Sequence, residues 1–285
     1  MLEKSAMNQK KSMSYHPVKV RQVAAVFGLL ARSSFLKLLG VIFIMAIGEI
    51  VLFWHEMSVR SGTAEQSVGE LGTNDVTIFV TAPEKLVEYA LLPLFFLAAL
   101  ALVMVVLIWT EVRMSEKAGY TMMRLGLSRK ELFAIKTIYN VACLVLLFVV
   151  QIWLAIGLLA WYRTYIPVGI DMPQLFFLSF YRSKFLHCLL PMQEIGKWIR
   201  NLLMIVALAM TAAGVIVFPG EKGVQRSASC GSVVILAVMW FVSDAGKNLL
   251  DMCCDILFLG VIVWEFLKIF GVFGRTEATV EEKDA

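Results

Sequence analysis

Residues 89–109 run for 21 positions without a charged side chain. As a helix rising 1.5 Å per residue, that stretch is about 31 Å long, the thickness of a bilayer's hydrocarbon core. Comparable apolar runs cover roughly 35–54, 141–161, 201–218, 231–245 and 249–271. Hydrocarbon offers no partner to a backbone N–H or C=O, so a chain with several such runs has to satisfy those groups within each segment, as helices. The sequence therefore predicts an all-α polytopic membrane protein with six transmembrane helices. The fifth run is short for a full crossing and is read as tilted, re-entrant, or extended backward through Ser227. Composition agrees. The chain is 59% hydrophobic and 17% charged, against about a quarter charged in soluble domains.

Six spans place both termini on one side, and lysine and arginine placement says which. Lys4, Lys10, Lys11, Lys19, Arg21, Arg32 and Lys37 precede or open the first run, and Arg113, Lys117, Arg124, Arg129, Lys130 and Lys136 follow the second. Between these runs stand Arg60 and Lys85 against Glu56, Glu65, Glu70, Asp75, Glu84 and Glu88. Both termini are expected in the cytoplasm of a cell-membrane protein. The chain then divides into a cytoplasmic N-terminal segment with an amphipathic interfacial helix (1–34), a transmembrane domain (35–273) and a charged cytoplasmic tail (274–285). One loop runs against the charge rule: 162–200 falls outside by parity yet carries Arg163, Arg182, Lys184, Lys197 and Arg200. Its many Phe, Leu, Tyr and Trp residues suit helices lying at the membrane interface, where basic side chains meet headgroups.

A formal charge of +4 is too small to imply a nucleic-acid partner. Cys143, Cys188, Cys230, Cys253 and Cys254 show no CxxC spacing, and with His16, His55 and His187 scattered there is no metal-ligand pattern. Neither GxxxxGK[ST], HExxH nor GxSxG occurs; the nearest glycine-lysine cluster, 219–223, lacks both the spacing and the hydroxyl of a phosphate-binding loop. His187 and Cys188 are adjacent, but neighbours on a helix point about 100° apart and make a poor nucleophile–base pair. The expectation is a non-enzyme with no cofactor of its own.

Two segments carry local chemistry. In 17–31, Val20, Val23, Ala24, Phe27, Leu30 and Ala31 recur at steps of three and four, with Lys19, Arg21, Gln22 and Arg32 off that face. This predicts a helix on the cytoplasmic leaflet that turns at Ser33 and Ser34 into the first span, either as a generic anchor or as a part with a specific role. In 119–136, Gly126 suits a left-handed helix stop, Ser128 and Glu131 form a capping box, and Leu127 with Leu132 form a hydrophobic staple. A short helix should turn sharply there into a long one, which, if unbroken to Trp161, spans roughly 50 Å and projects beyond the bilayer. Such a joint is either a lever that receives force from a cytoplasmic partner or simply a well-capped loop.

The stretch Arg124-Leu-Gly-Leu-Ser-Arg-Lys-Glu131, with Lys136 following, resembles the membrane subunit of a type-2 ATP-binding-cassette (ABC) exporter: an amphipathic elbow helix, six spans, and a coupling helix between spans two and three. The resemblance implies a permease that pairs with a separate cytoplasmic ATPase and with a second permease subunit, sits in membrane lipid, and moves a hydrophobic, amphipathic or peptide substrate. ATP would bind the partner. Tyr120, Arg124, Leu125, Gly126, Ser128, Arg129 and Glu131 would then contact the ATPase. A similar Leu-Gly-x-Ser-Arg pattern occurs in FtsX-like mechanotransmission proteins, but their large extracytoplasmic domain has no counterpart in loops of about 34 and 39 residues here.

Acidic residues in or near the spans support a second reading, an ion- or proton-coupled carrier. Glu49 lies deep in the first run and must face protein or water. It is either a structural partner of a hydroxyl, amide or base on another helix, or part of a substrate path. Asp244, Asp251 and Asp255 share a helical face if that segment is continuous, with Lys247 four before Asp251. They form either a wet interface or an acidic rim at an external mouth. Glu265 and Lys268 read as a snorkelling pair.

Overall fold

The computed structural model describes residues 2–70, 82–124, 129–164, 174–192, 194–217, 223–242 and 248–270. Among the described residues the regular structure is helical, with no strand: α1 (Leu2–Glu70), α2 (Pro83–Tyr89), α3 (Leu92–Arg124), α4 (Arg129–Arg163), α5 (Leu175–Arg182), α6 (Lys184–Leu189), α7 (Ile195–Val217), α8 (Gly223–Val242) and α9 (Asn248–Phe270). Among the described residues four stretches are long and apolar enough to cross a membrane: Gln22–Val59, Leu92–Thr110, Lys130–Arg163 and Ile195–Gly214. Their outer faces are apolar too, with Leu36, Ile44 and Trp153 largely exposed, as lipid contact demands. The chain is a membrane protein. The apolar part of α8, Gly231–Phe241, is shorter than a crossing, and α9 carries Asp255, Glu265 and Lys268 along its length.

Two expectations change. The turn predicted at Ser33 and Ser34 is absent, because α1 passes through both as helix. Each hydroxyl donates to the Leu30 carbonyl at 2.9 Å, so neither serves as a cap for a new helix. In the described part of the predicted surface helix Val26 and Leu30 are buried, while Val23, Phe27 and Leu29 stay exposed; the first two open a longer buried stripe. Val26, Leu30, Ser34, Leu38, Ile42, Met45, Glu49, Phe53 and Met57 are all buried, a single stripe at steps of three and four that lies against α3 and α4. The second change concerns the predicted short helix before Gly126. Its residues up to Arg124 are the end of α3, continuous with that helix's apolar part. The turn itself, 125–128, lies outside the described residues. Beyond it α4 runs unbroken for 35 residues, about 52 Å, matching the long helix expected to continue to Trp161.

Packing proceeds in layers. α1 lies against α3 and α4; α7 lies behind them and carries α8 and α9 on its other side. The residues of α7 explain its central place: Ala207, Ala209, Ala212 and Ala213 are fully buried, and small side chains let helices approach closely in a membrane. At one end of the bundle, α2, α5 and α6 close the structure over an aromatic knot. Phe96 meets Phe148 and Phe241 edge-on, each at 5.2 Å between ring centres, and Phe185 at 5.7 Å. The other end carries the long α3–α4 hairpin.

Candidate functional site

Three groups of buried polar side chains stand out among the described residues. The first lies in the opening turns of α4. On α4, Phe133, Lys136 and Asn140 follow at steps of three and four and are all buried. Phe133 packs with Met210 and Ala213 of α7, flanked by Ile262 and Ile269 of α9, and Asn140 donates from Nδ2 to the Ala209 carbonyl at 3.3 Å. At the same level of α7, Gly214 makes room for Glu265 of α9: a Cβ there would meet Glu265 Oε2 at 2.7 Å. Glu265 pairs with Lys268 at 3.6 Å, and Lys268 Nζ lies 5.5 Å from the Trp264 ring. The pairing matches the sequence expectation, but its setting does not. Glu265 is 4% exposed, tucked against α7 rather than snorkelling, because α7 offers a glycine at the contact.

The second group occupies the opposite end. Arg200, near the start of α7, donates from Nε to Asp255 Oδ1 at 2.6 Å and from Nη2 to Oδ2 at 3.0 Å. This fork-to-fork pair fixes α9 on α7. The guanidinium lies 4.2 Å over the Trp240 ring of α8, a cation–π contact worth about 0.5–2 kcal/mol. Trp240 Nε1 donates to Asn201 Oδ1 at 3.2 Å, and Asn201 Nδ2 donates to the Cys188 carbonyl at 2.8 Å. Four helices are thus tied by one connected set of polar contacts. Nearby, Glu194 meets Lys197 at 3.0 Å and His187 at 3.5 Å. The hydrogen bond from Lys197 holds the Glu194 carboxyl below the ordinary glutamate range, with His187 adding to the effect. A cavity of about 280 Å³ opens beside His187, lined by Gln174, Phe177, Tyr181 and Met192 among others. Arg182 reaches Glu84 of α2 at 3.6 Å. Arg182, Lys197 and Arg200, three of the basic residues that ran against the charge rule, therefore each have an acidic partner.

The third group is small and wholly enclosed. Glu49 of α1 and Gln151 of α4 are both 0% exposed, and Gln151 Nε2 donates to Glu49 Oε2 at 2.9 Å. The amide partner is of a kind the sequence allowed for, on a helix it did not specify.

The chain matches no protein-family model, no curated protein and no solved structure.

Of the residues singled out in the sequence for ATPase coupling, Leu125, Gly126 and Ser128 lie outside the described residues. Tyr120 and Arg124 stand in the last turns of α3 and Arg129 opens α4, their side chains outside what is described. Glu131 sits in the first turn of α4, half-buried. Asp251 lies in α9 with its side chain also outside the description, and Asp244 and Lys247 lie outside it altogether. Glu49 and Asp255 are not brought together, since one is held by α4 and the other by α7. Sequence reasoning missed Gln151, Trp240 and Asn201. Only Gln151 left a signal: it is the sole amide in the apolar run 141–161.

Proposed function

We propose that this chain is the permease subunit of an ABC-type exporter, a six-span protein of a cell membrane with both termini cytoplasmic, driven through its α3–α4 hairpin by a separate ATPase. In this reading the chain holds no nucleotide and works beside a second permease subunit. The observation that carries it is the length and seating of the hairpin. The apolar part of α3, Leu92–Thr110, ends well before the helix does at Arg124. The remainder extends roughly 20 Å. α4 follows it and is bolted to α7 and α9 within its first few turns by Phe133 and Asn140. A push on the tip would reach the centre of the bundle through helix and packed side chains, without loss in a slack loop. Glu131 in the first turn of α4 and the basic residues on both strands of the hairpin fit a docking surface for a soluble partner.

An ion-coupled carrier built on Glu49 together with Asp251 and Asp255 finds less support, because Glu49 and Asp255 sit on different helix pairs and Asp255 is already engaged by Arg200. The deciding experiment places a photo-crosslinking amino acid at Arg124 in native membranes, with Tyr181 at the opposite end as control. The Arg124 probe should capture an ATP-binding-cassette protein and the Tyr181 probe should not. Adducts free of any ATP-binding protein would overturn the reading.

A further inference from the structure

The Glu49–Gln151 contact does not balance as drawn. A glutamate carboxylate offers two acceptor oxygens, and a glutamine amide offers one acceptor oxygen and two N–H donors. One bond is made, from Gln151 Nε2 to Glu49 Oε2. Glu49 Oε1 and Gln151 Oε1 are both buried with no hydrogen-bond partner among the described residues. Two orphaned acceptors and a formal negative charge lie together in an apolar wall that includes Met45, Phe53, Leu147 and Phe148. A base is missing as well. Within 38–54 of α1, 92–110 of α3 and 144–161 of α4, Glu49 is the only ionisable side chain.

A carboxylate left uncompensated in such a place is costly, and one donor would relieve it. Two free oxygens are too few to replace the hydration shell of a metal cation, which takes about six oxygen ligands. A single proton meets the deficit, since it removes the charge and turns one acceptor into a donor. We propose that Glu49 and Gln151 form a buried proton-binding site at the α1–α4 contact, occupied when the two helices are packed. Separating α1 from α4 admits water to the carboxyl and releases the proton. Closure takes one up again. Proton activity is thereby linked to the seating of the helix that bears the hairpin, whether or not an ATPase drives it.

Hydrophobic carbodiimides react with neutral carboxylic acids buried in membrane proteins. The intact wild-type protein in lipid nanodiscs is treated at pH 7 and the adducts are located by mass spectrometry. Label should accumulate on Glu49 at least about tenfold over the exposed Glu88, since an ordinary glutamate is almost wholly ionised at that pH. The label on Glu49 should fall as the pH is raised. In parallel, the infrared spectrum of the wild type should contain an acid-carbonyl band that E49Q lacks. An unlabelled Glu49, or carboxylate bands for it at pH 7, overturns the proposal; the latter is the result expected if a water molecule bridges the two oxygens instead. The labelling arm uses no variant, so it decides the matter even if E49Q fails to fold.

Discussion

Arg200 is 6% exposed, and at that depth a guanidinium persists only with a partner fixed in place. Asp255 supplies both oxygens, and Trp240 covers one face of the guanidinium. Removing the acid leaves the buried cation without its fork, which costs about 3–5 kcal/mol for a fully enclosed pair. Asp255 is 38% exposed, so solvent screening brings the expected loss for Asp255→Ala nearer ~2 kcal/mol. Arg200→Lys should lose a comparable amount, because an ammonium cannot make the two parallel bonds. Thermal unfolding in detergent, followed by tryptophan emission, checks both. Residues of this kind were half-legible. Arg200 could be seen in the sequence only as one of several cations in an awkward loop, since nothing in its neighbourhood names Asp255, 55 positions on. Gln151 stood out against its apolar run and so did Glu49, but pairing them requires knowing that α1 and α4 touch.

Among the elements, the break between α2 and α3 is the least expected from the residues. Leu91 takes φ 54°, a left-handed conformation that costs an L-residue with a Cβ roughly 1–2 kcal/mol. The neighbouring bonds hold it there: Leu91 N donates to the Glu88 carbonyl at 3.1 Å, and the Leu91 carbonyl accepts from Leu94 N at 3.0 Å and from Phe95 N at 3.2 Å. Leu91 is half exposed, so its side chain contributes little packing in return. Leu91→Gly should therefore stabilise the protein by about 1 kcal/mol, read as a raised unfolding temperature; a fall would show that the leucine side chain matters more than its backbone. The leucine itself gives no warning of such a corner, and the second apolar run reads as helix from Tyr89; the signal is Pro93, in the first turn of α3. The capping box predicted at Ser128 and Glu131 falls partly outside the described residues, and α4 is already helical at Arg129 where the description resumes. The serines at 33 and 34 misled for a definite reason: a hydroxyl can bond back into its own helix as readily as it can cap a new one.

For the molecule as a whole, composition and the long apolar runs were enough to place it in a membrane and to make it helical, because the bilayer leaves a chain few alternatives. The arrangement of layers was not legible, since the contacts that order the helices are dispersed over small and apolar residues with no pattern of their own. If the hairpin and the α5–α6 cap stand on opposite sides of the bilayer, single cysteines at Lys130 and Tyr181, both exposed, should be labelled by a membrane-impermeant maleimide from opposite faces in a background lacking the native thiols. Labelling of both from one face would require a different path for the chain.

The two polar contacts between α1 and α4 have a geometric consequence. Ser34 meets the Tyr139 hydroxyl at 2.6 Å, and Glu49 meets Gln151 about four turns farther along α1 and about three along α4. Like two dowels through parallel rods, they index one helix on the other. A slip of a single turn would face Glu49 with aliphatic carbon and strand the serine as well. α1 is therefore not free to slide on α4 as a piston; the motion left to the pair is to tilt apart as a wedge, hinged at whichever dowel holds.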